Sequence, residues 1–407
     1  MSSVTIDLLD EKTIGKNYQL AALGSILDDL PKDIKDKIIK GIMINLIQLN
    51  SEEYDIVKKH LSKRLESVCS FSEDPPKLYA AGDQTDREIL ENAKILKKTN
   101  ERLSCESVKE AVKEAIDKLS AQELAQPAPM PMYLRPYVFS YYRNTGKVKE
   151  ITVGSLLIAT IGLLISFVGN LKTAGIDIHI IPDGSMSSLN VSRTFYNLLY
   201  LSNEGASSNF TIPSLLQLIS NITNELGGVS IDQAIFLSFM IYMAYANDIS
   251  ESLSSDIESL TNSNSFESFM LARIDSADRR PQLMSATPLS ISWALKRLIK
   301  RRSLSLLKNL NWLVSSSIKS EKDDFKASAE AASSKCLSSL FKYMESNYYD
   351  ALLECSRDLA TICDKANKLL EERKDESLRN IRNVKQAAEN LLSQLPWIYD
   401  FNALWQA

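Results

Sequence analysis

Apolar residues along the chain recur mainly at spacings of three and four positions, which is the period of an amphipathic α-helix. This pattern predicts helices at 33–49, 51–66, 291–310, 326–347, 348–372 and 375–395. Glycine and proline are scarce, at 13 and 12 of 407 residues, so few turns interrupt the pattern. The pair Pro396-Trp397 is expected to end the last helix. We therefore expect a predominantly helical protein whose C-terminal part packs as a helical bundle.

Two uncharged stretches stand out, at 151–171 and 234–246. The first is long enough to cross a bilayer as a helix, but it contains many small and polar residues. It is soon followed by IDIHIIP at 176–182, which has the β-branched composition of a buried strand. The pattern favours a buried helix leading into a strand, with a membrane span as the alternative. The second stretch is too short to span and predicts another buried helix.

The remaining patterns divide the chain into three regions. A charged helical stretch at 87–124 leads into a proline-rich linker at 125–131, and the turn residues 144–146 suggest a hairpin between two strands. The fold class predicted is α+β and predominantly α-helical, with a small sheet in the mixed N-terminal and central part. The regions are a helical one at 1–126, a mixed α/β one at 127–285 with the buried helix 151–171, and a helical bundle at 286–407.

Charge is segregated along the chain, although the net charge is only −4. The stretch 151–278 holds twelve acidic and three basic residues, and 279–320 then holds nine basic residues and no acidic one. Within the basic stretch, Lys296 with Lys300 and Arg297 with Arg301 are like charges four positions apart, which repel each other on a helix. A polyanion would offset this repulsion, and so would pairing with the preceding acidic block.

Ten basic residues are candidates for nucleic-acid contacts. The first group, on the helix 291–310, would bind phosphates and comprises Lys296, Arg297, Lys300, Arg301, Arg302 and Lys308. The second group lies among tyrosines around the predicted hairpin, where rings could stack on bases, and comprises Arg135, Arg143, Lys147 and Lys149. In the alternative interpretation, the basic residues form a solvated face and the tyrosines pack in a core.

Catalytic chemistry is not expected. The chain has two histidines, and no phosphate-binding loop, dinucleotide-binding turn, nucleophile elbow or metalloprotease motif. His179 is interpreted as a core histidine and Asp183 as a turn residue. The five cysteines have no paired short spacing, so we expect reduced thiols in a cytoplasmic protein, without a metal site or cofactor. The three glycosylation sequons are interpreted as chance matches.

A resemblance to a known family rests on GSLLIATIGLLISFVGN leading into IDIHIIPDGS, after a mixed first part and before a helical C-terminal part. In this order the chain resembles the large subunit of archaeal type I-A CRISPR surveillance (Cascade) complexes. The resemblance implies a non-catalytic subunit of a crRNA-guided antiviral complex, with crRNA, target DNA and other subunits as partners. Such a subunit would contact DNA near the flanking motif or the 5′ handle of the guide. The alternatives are a helical protein-interaction scaffold without nucleic-acid binding and a membrane-associated protein anchored by 151–171.

Overall fold

The structure is a computed structural model of the 407-residue chain. The residues that it describes lie in the following ranges: 3–9, 13–69, 74, 76, 83–98, 100–125, 151–171, 174–200, 214–226, 228–275, 282–300, 304–320, 323–346, 348–372 and 378–398.

The chain forms two compact units, and each is discontinuous in sequence. The first unit comprises Met1–Glu204 and Ser265–Leu289, and the second comprises Gly205–Asn264 and Ser290–Ala407. These units differ from the three predicted regions because the hairpin within 265–289 pairs with a strand of the first unit, while 205–264 packs with the C-terminal helices.

The first unit mixes helices and strands. Its described elements are β1 (Ser3–Asp7), α1 (Ile14–Gly24), α2 (Lys32–Ile44), β2 (Leu46–Asn50), α3 (Ser51–Leu65), α4 (Asp83–Asn92), α5 (Cys105–Glu114), β3 (Leu124–Ala125), β4 (Ile151–Thr152), α6 (Val153–Ser166), β5 (Phe167–Leu171), β6 (Ile176–Pro182), α7 (Met186–Leu199), β7 (Phe269–Asp275) and β8 (Gln282–Pro288). Short 3₁₀ helices occur at Leu27–Asp29, Ile116–Ser120 and Ser265–Ser268.

Helix α6 is the centre of the first unit, and all fourteen of its residues are buried. It packs on α1, and the two backbones approach so closely that a Cβ on Gly162 would overlap the carbonyl group of Tyr18. The stretch 151–171 is therefore a buried helix followed by a strand, as predicted, but the helix ends at Ser166 rather than at 171. No described helix combines the length and the apolar character that a membrane crossing requires.

An antiparallel sheet in the order β5-β6-β7-β8 lies beside this helix pair. Every residue of β6 is buried, which confirms the strand predicted at 176–182. β6 pairs with β7 over its whole length, from Ile176 opposite Asp275 to Pro182 opposite Phe269. This pairing places the β7–β8 hairpin in the first unit, although Gly205–Asn264 of the second unit comes between the paired strands in sequence.

The N-terminal region predicted as helical also contains a two-stranded antiparallel sheet, formed by β1 and β2. The helix predicted at 33–49 ends at Ile44, where Asn45 adopts a left-handed conformation with φ of 59°. Ile47 and Leu49 are then buried as alternate residues of β2. In the charged stretch predicted as helical at 87–124, the structure describes the end of α4 and all of α5.

The second unit is helical in its described residues. Its elements are α8 (Leu215–Ser220), a π-helical turn (Asn221–Leu226), α9 (Ile231–Ala246), α10 (Glu251–Asn262), α11 (Ser292–Lys300), α12 (Leu304–Ile318), α13 (Asp323–Ser346), α14 (Tyr349–Glu372) and α15 (Arg379–Ile398). The buried α9 confirms the helix predicted at 234–246.

Helices α12 to α15 form the predicted C-terminal bundle, in which each helix packs on its neighbour in sequence and α12 also packs on α15. The structure describes two helices, α11 and α12, where one was predicted at 291–310, and α12 is the bundle member. Helix α15 ends at Ile398, one residue after the pair Pro396-Trp397 that was predicted to end it. The predominantly α, α+β class is confirmed.

The cysteine prediction was wrong for four of the five residues. Cys69 is bonded to Cys105 in the first unit, and Cys336 on α13 is bonded to Cys355 on α14 in the second. Folding brings residues 36 and 19 positions apart to Cα separations of 5.7 and 4.3 Å, which their spacing in the sequence does not reveal. Only Cys363 is a free thiol, and burial raises its pKa to about 11.

Candidate nucleic-acid interface

Helix α11 carries the described part of the predicted phosphate-binding group. Its apolar side is buried through Ala294, Leu295 and Leu298, so Lys296 and Arg297 fall on the half-exposed side. The helical spacing of the apolar residues therefore directs the two cations towards the surface.

Each of these two cations has an intramolecular contact. Lys296 Nζ donates a hydrogen bond to Asn264 Oδ1 at 2.6 Å. The Arg297 guanidinium lies 5.3 Å from the ring centroid of Trp293 and 5.5 Å from that of Tyr343, within cation–π distance. The amide oxygen of Asn264 and the two aromatic rings therefore help to fix the positions of these two cations.

Lys308 on α12 differs, because its ammonium group forms an ion pair with the Asp248 carboxylate between α9 and α10. Two helices of the acidic block also pack on the basic helices, α10 on α11 and α9 on α12. The predicted alternative, in which the basic stretch pairs with the preceding acidic block, therefore applies to Lys308.

The structure leaves the other predicted contacts open. Lys300 is the last residue of α11, but the structure does not describe its side chain. Arg301 and Arg302 lie outside the described residues. The whole hairpin group lies outside the described residues: Arg135, Arg143, Lys147 and Lys149.

Sequence reasoning missed the groups that hold these cations, namely Asn264, Asp248 and Tyr343. Asn264 is 32 positions from Lys296, and Tyr343 lies on another helix of the bundle. Of these three contacts, Asp248 alone could have been expected from the sequence, since it belongs to the acidic block that precedes the basic one. Trp293 could have been found as well, because it lies four positions before Arg297 and thus on the same side of a helix.

Of the two enzymatic candidates of the first unit, His179 lies in the core and Asp183 is exposed. His179 is fully buried, with Nδ1 3.5 Å from Ser166 Oγ and its ring packed against Tyr18 and Phe167. Burial lowers its pKa to about 3, so the ring is neutral. Asp183 Oδ1 accepts a hydrogen bond from Ser185 N at 2.8 Å, in the turn before α7. These positions agree with the predicted core histidine and turn residue.

Among the described residues, no group of three or more histidine, cysteine, aspartate or glutamate side chains is arranged to hold a metal ion. No family model, curated protein or solved structure matches the chain. The resemblance to the large subunit of type I-A surveillance complexes accordingly stays a prediction.

Proposed function

We propose that this protein is a non-catalytic, nucleic-acid-binding subunit of a larger assembly. The observation that carries the proposal is the half-exposed side of α11, where Lys296 and Arg297 stand next to each other in a stretch of nine basic residues without an acidic one. Their contacts with Asn264, Trp293 and Tyr343 orient the two cations. Oriented cations beside an aromatic ring suit a phosphate backbone with an adjacent base.

In its finer form the proposal follows the resemblance: a subunit of an archaeal crRNA-guided antiviral complex, in the cytoplasm, contacting target DNA near the flanking motif or the guide's 5′ handle. Base pairing would read the sequence, while this subunit would hold the backbone. The two disulfides bear on the compartment, because they are rare in cytosolic proteins except those of hyperthermophiles. A cytoplasmic role therefore fits best with a hyperthermophilic host.

A protein-interaction scaffold is the second candidate, favoured by the ion pair between Lys308 and Asp248 and by the packing of α10 on α11. In that case the basic block would serve to bind the acidic helices of its own unit. The two candidates differ in one measurable property, affinity for nucleic acid.

The test is fluorescence anisotropy of the full chain with labelled single-stranded DNA, duplex DNA and RNA across a salt series. The test variant replaces five basic residues by glutamine: Lys296, Arg297, Lys300, Arg301 and Arg302. The control variant removes the same charge from five exposed lysines of the first unit: Lys32, Lys40, Lys59, Lys63 and Lys98. We expect the salt slope to fall by about 0.9 for each duplex phosphate that the protein no longer neutralises, in the test variant only.

Equal salt slopes for the test variant and the wild type would show that the five replaced residues do not contact nucleic acid. Absence of binding to all three probes at low salt would overturn the proposal and favour the scaffold.

A further inference from the structure

A second group of basic residues lies where α12 ends and α15 begins. Asn380 Nδ2 donates a hydrogen bond to the carbonyl oxygen of Lys319 at 2.7 Å, which fixes these two helix ends beside each other. Further along the pair, Asn309 Nδ2 donates to Gln394 Oε1 at 3.1 Å, so the helices run antiparallel. The two ends thus bring Lys319 into the neighbourhood of the first turn of α15.

Lys319, Arg379 and Arg382 are exposed there. Within the part of the chain that the structure describes, the side chains of these three residues form no ion pair or hydrogen bond. This distinguishes them from Lys308, which pairs with Asp248, and from Lys385 in the next turn of α15, which lies 3.6 Å from Glu389. Among the described residues, Lys319, Arg379 and Arg382 therefore differ from Lys308 and Lys385 in having no carboxylate partner.

Within the described residues, positive charge is concentrated at the start of α15. A helix N-terminus carries a partial positive charge, yet the first turn of α15 contains no acidic residue and begins with Arg379. Arg382 follows at the i+3 position, on the same side of the helix, where like charges repel. A bound anion would relieve both effects at once.

An unpartnered hydroxyl group provides a second, independent indication. Ser320, directly after Lys319, is only 4% exposed, and its Oγ has no hydrogen-bond partner among the described residues. A buried donor without an acceptor is rare in folded proteins, because it loses its hydrogen bonds to water on burial. Because Ser320 directly follows Lys319, this hydroxyl group lies at the end of α12 that Asn380 contacts.

The surroundings favour a nucleic acid over an acidic protein. The exposed positions described on α15 are all polar: Arg379, Arg382, Gln386, Glu389 and Ser393. Stable protein interfaces usually have an apolar centre, which this side of the helix lacks. Arg379 and Arg382 are about 4.5 Å apart along the helix axis, close to the roughly 3.4 Å axial spacing of phosphates on one strand. One guanidinium group can also donate two parallel hydrogen bonds to the oxygens of one phosphate.

We propose that Lys319, Arg379 and Arg382 form a phosphate-backbone contact site at the meeting point of α12 and α15, beside the hydroxyl group of Ser320. The proposal rests on the nucleic-acid-binding function and adds a contact surface that is separate from the side of α11 with Lys296 and Arg297.

The experiment compares the full chain with the variant K319Q/R379Q/R382Q by fluorescence anisotropy on the same three labelled probes. A matched control, K40Q/K342Q/R357Q, removes the same charge at exposed positions elsewhere. We expect the triple variant to lower the salt slope by about 2 to 3 on duplex DNA, at about 0.9 per phosphate, and the control to leave it unchanged. The charge-preserving variant R379K/R382K should keep most of the slope. Circular dichroism and thermal midpoints establish that all variants fold.

The outcomes separate the two proposals. If the α11 variant loses binding while K319Q/R379Q/R382Q binds like the wild type, the proposed function stands and this site is wrong. If the wild type binds no nucleic acid, the proposed function fails and the site fails with it. Binding of labelled polyglutamate in place of nucleic acid, abolished in the same triple variant, would overturn the inference in favour of an acidic protein partner.

Discussion

His179 lies in an environment that excludes its charged form. Tyr18 and Phe167 surround the ring, Ser166 Oγ is 3.5 Å from Nδ1, and Nε2 has no hydrogen-bond partner among the described residues. Protonation would place an uncompensated charge in the core of the first unit. The folded state therefore holds this side chain neutral, whereas the unfolded chain leaves it free to titrate.

The consequence is a stability that falls with acidification. The pKa of His179 is about 3 in the folded state, against an ordinary value of 6.5, so between these values the unfolded state binds a proton that the folded state does not. The stabilisation is complete above 6.5 and is lost as the pH falls towards 3, by up to about 1.4 kcal/mol per pH unit. We expect the variant His179→Phe to unfold with a shallower pH dependence across this window, measured by urea denaturation.

Parallel pH profiles of the wild type and His179→Phe would show that His179 is not the group that titrates, even if the variant is less stable overall.

For the basic residues of α11, the sequence predicted the side of the helix on which they lie but not their contacts. Helical spacing was sufficient to place Lys296 and Arg297 on the side opposite Leu295 and Leu298, as the structure shows. It could not supply Asn264 or Tyr343 as their contacts, because those contacts depend on how distant segments pack. For the same reason the unpaired cations at Arg379 and Arg382 were missed, although their i,i+3 spacing was visible.

Helix and strand periodicity predicted most elements of the second unit, because long amphipathic helices carry their signal over many turns. The misassignment at 33–49 has a physical cause. Leu46, Ile47 and Leu49 fit either a helical stripe or an alternating strand, and pairing with β1 decides between the two. A short apolar run does not reveal which partner strand will be present.

The bond between Cys336 and Cys355 connects α13 to α14, two adjacent helices of the bundle. It closes a loop with a sequence separation of 19, and loops of this size stabilise a folded domain by about 3 kcal/mol through the unfolded state. We expect Cys336→Ala/Cys355→Ala to lower the free energy of unfolding by about 2 to 3 kcal/mol. Denaturant titration of both proteins, with and without a thiol reductant, measures the difference.

The reductant separates the cross-link from the loss of the side chains. It should destabilise the wild type and leave the double variant less affected, because only the Cys69–Cys105 bond then remains to be reduced. If the reductant destabilises both proteins equally, the bond between α13 and α14 contributes nothing to stability.

At the scale of the molecule, the chain order and the compact units do not coincide. Residues 205–264 lie between parts of the first unit in sequence, yet α9 packs on α12 and α13 in the second unit. The boundary predicted at 285/286 falls inside β8, which pairs with β7. A composition shift marked the basic block but not the unit boundary, because the β7–β8 hairpin reaches back to β6 across an intervening helical segment.

This interleaving predicts which fragments fold. The fragment 286–407 lacks α8 to α10, so the α12 surface that normally packs on the buried α9 would be exposed to water. In a rejoined chain, a flexible linker would replace 265–289 between the two parts of the second unit, Gly205–Asn264 and Ser290–Ala407. About ten glycine and serine residues would reach roughly 17 Å on average. A linker of this length allows Asn264 to keep the hydrogen bond that it accepts from Lys296.

We expect the rejoined chain to unfold in one cooperative thermal transition, since it retains the complete core of the second unit. The fragment 286–407 should instead melt gradually and bind the dye ANS, as chains with exposed apolar surface do. Circular dichroism melting and ANS fluorescence measure both properties on the two proteins. An equally sharp transition at the same midpoint for 286–407 would mean that α8 to α10 are dispensable for the bundle. In that case the predicted C-terminal boundary would describe the folding unit better than the interleaved arrangement does.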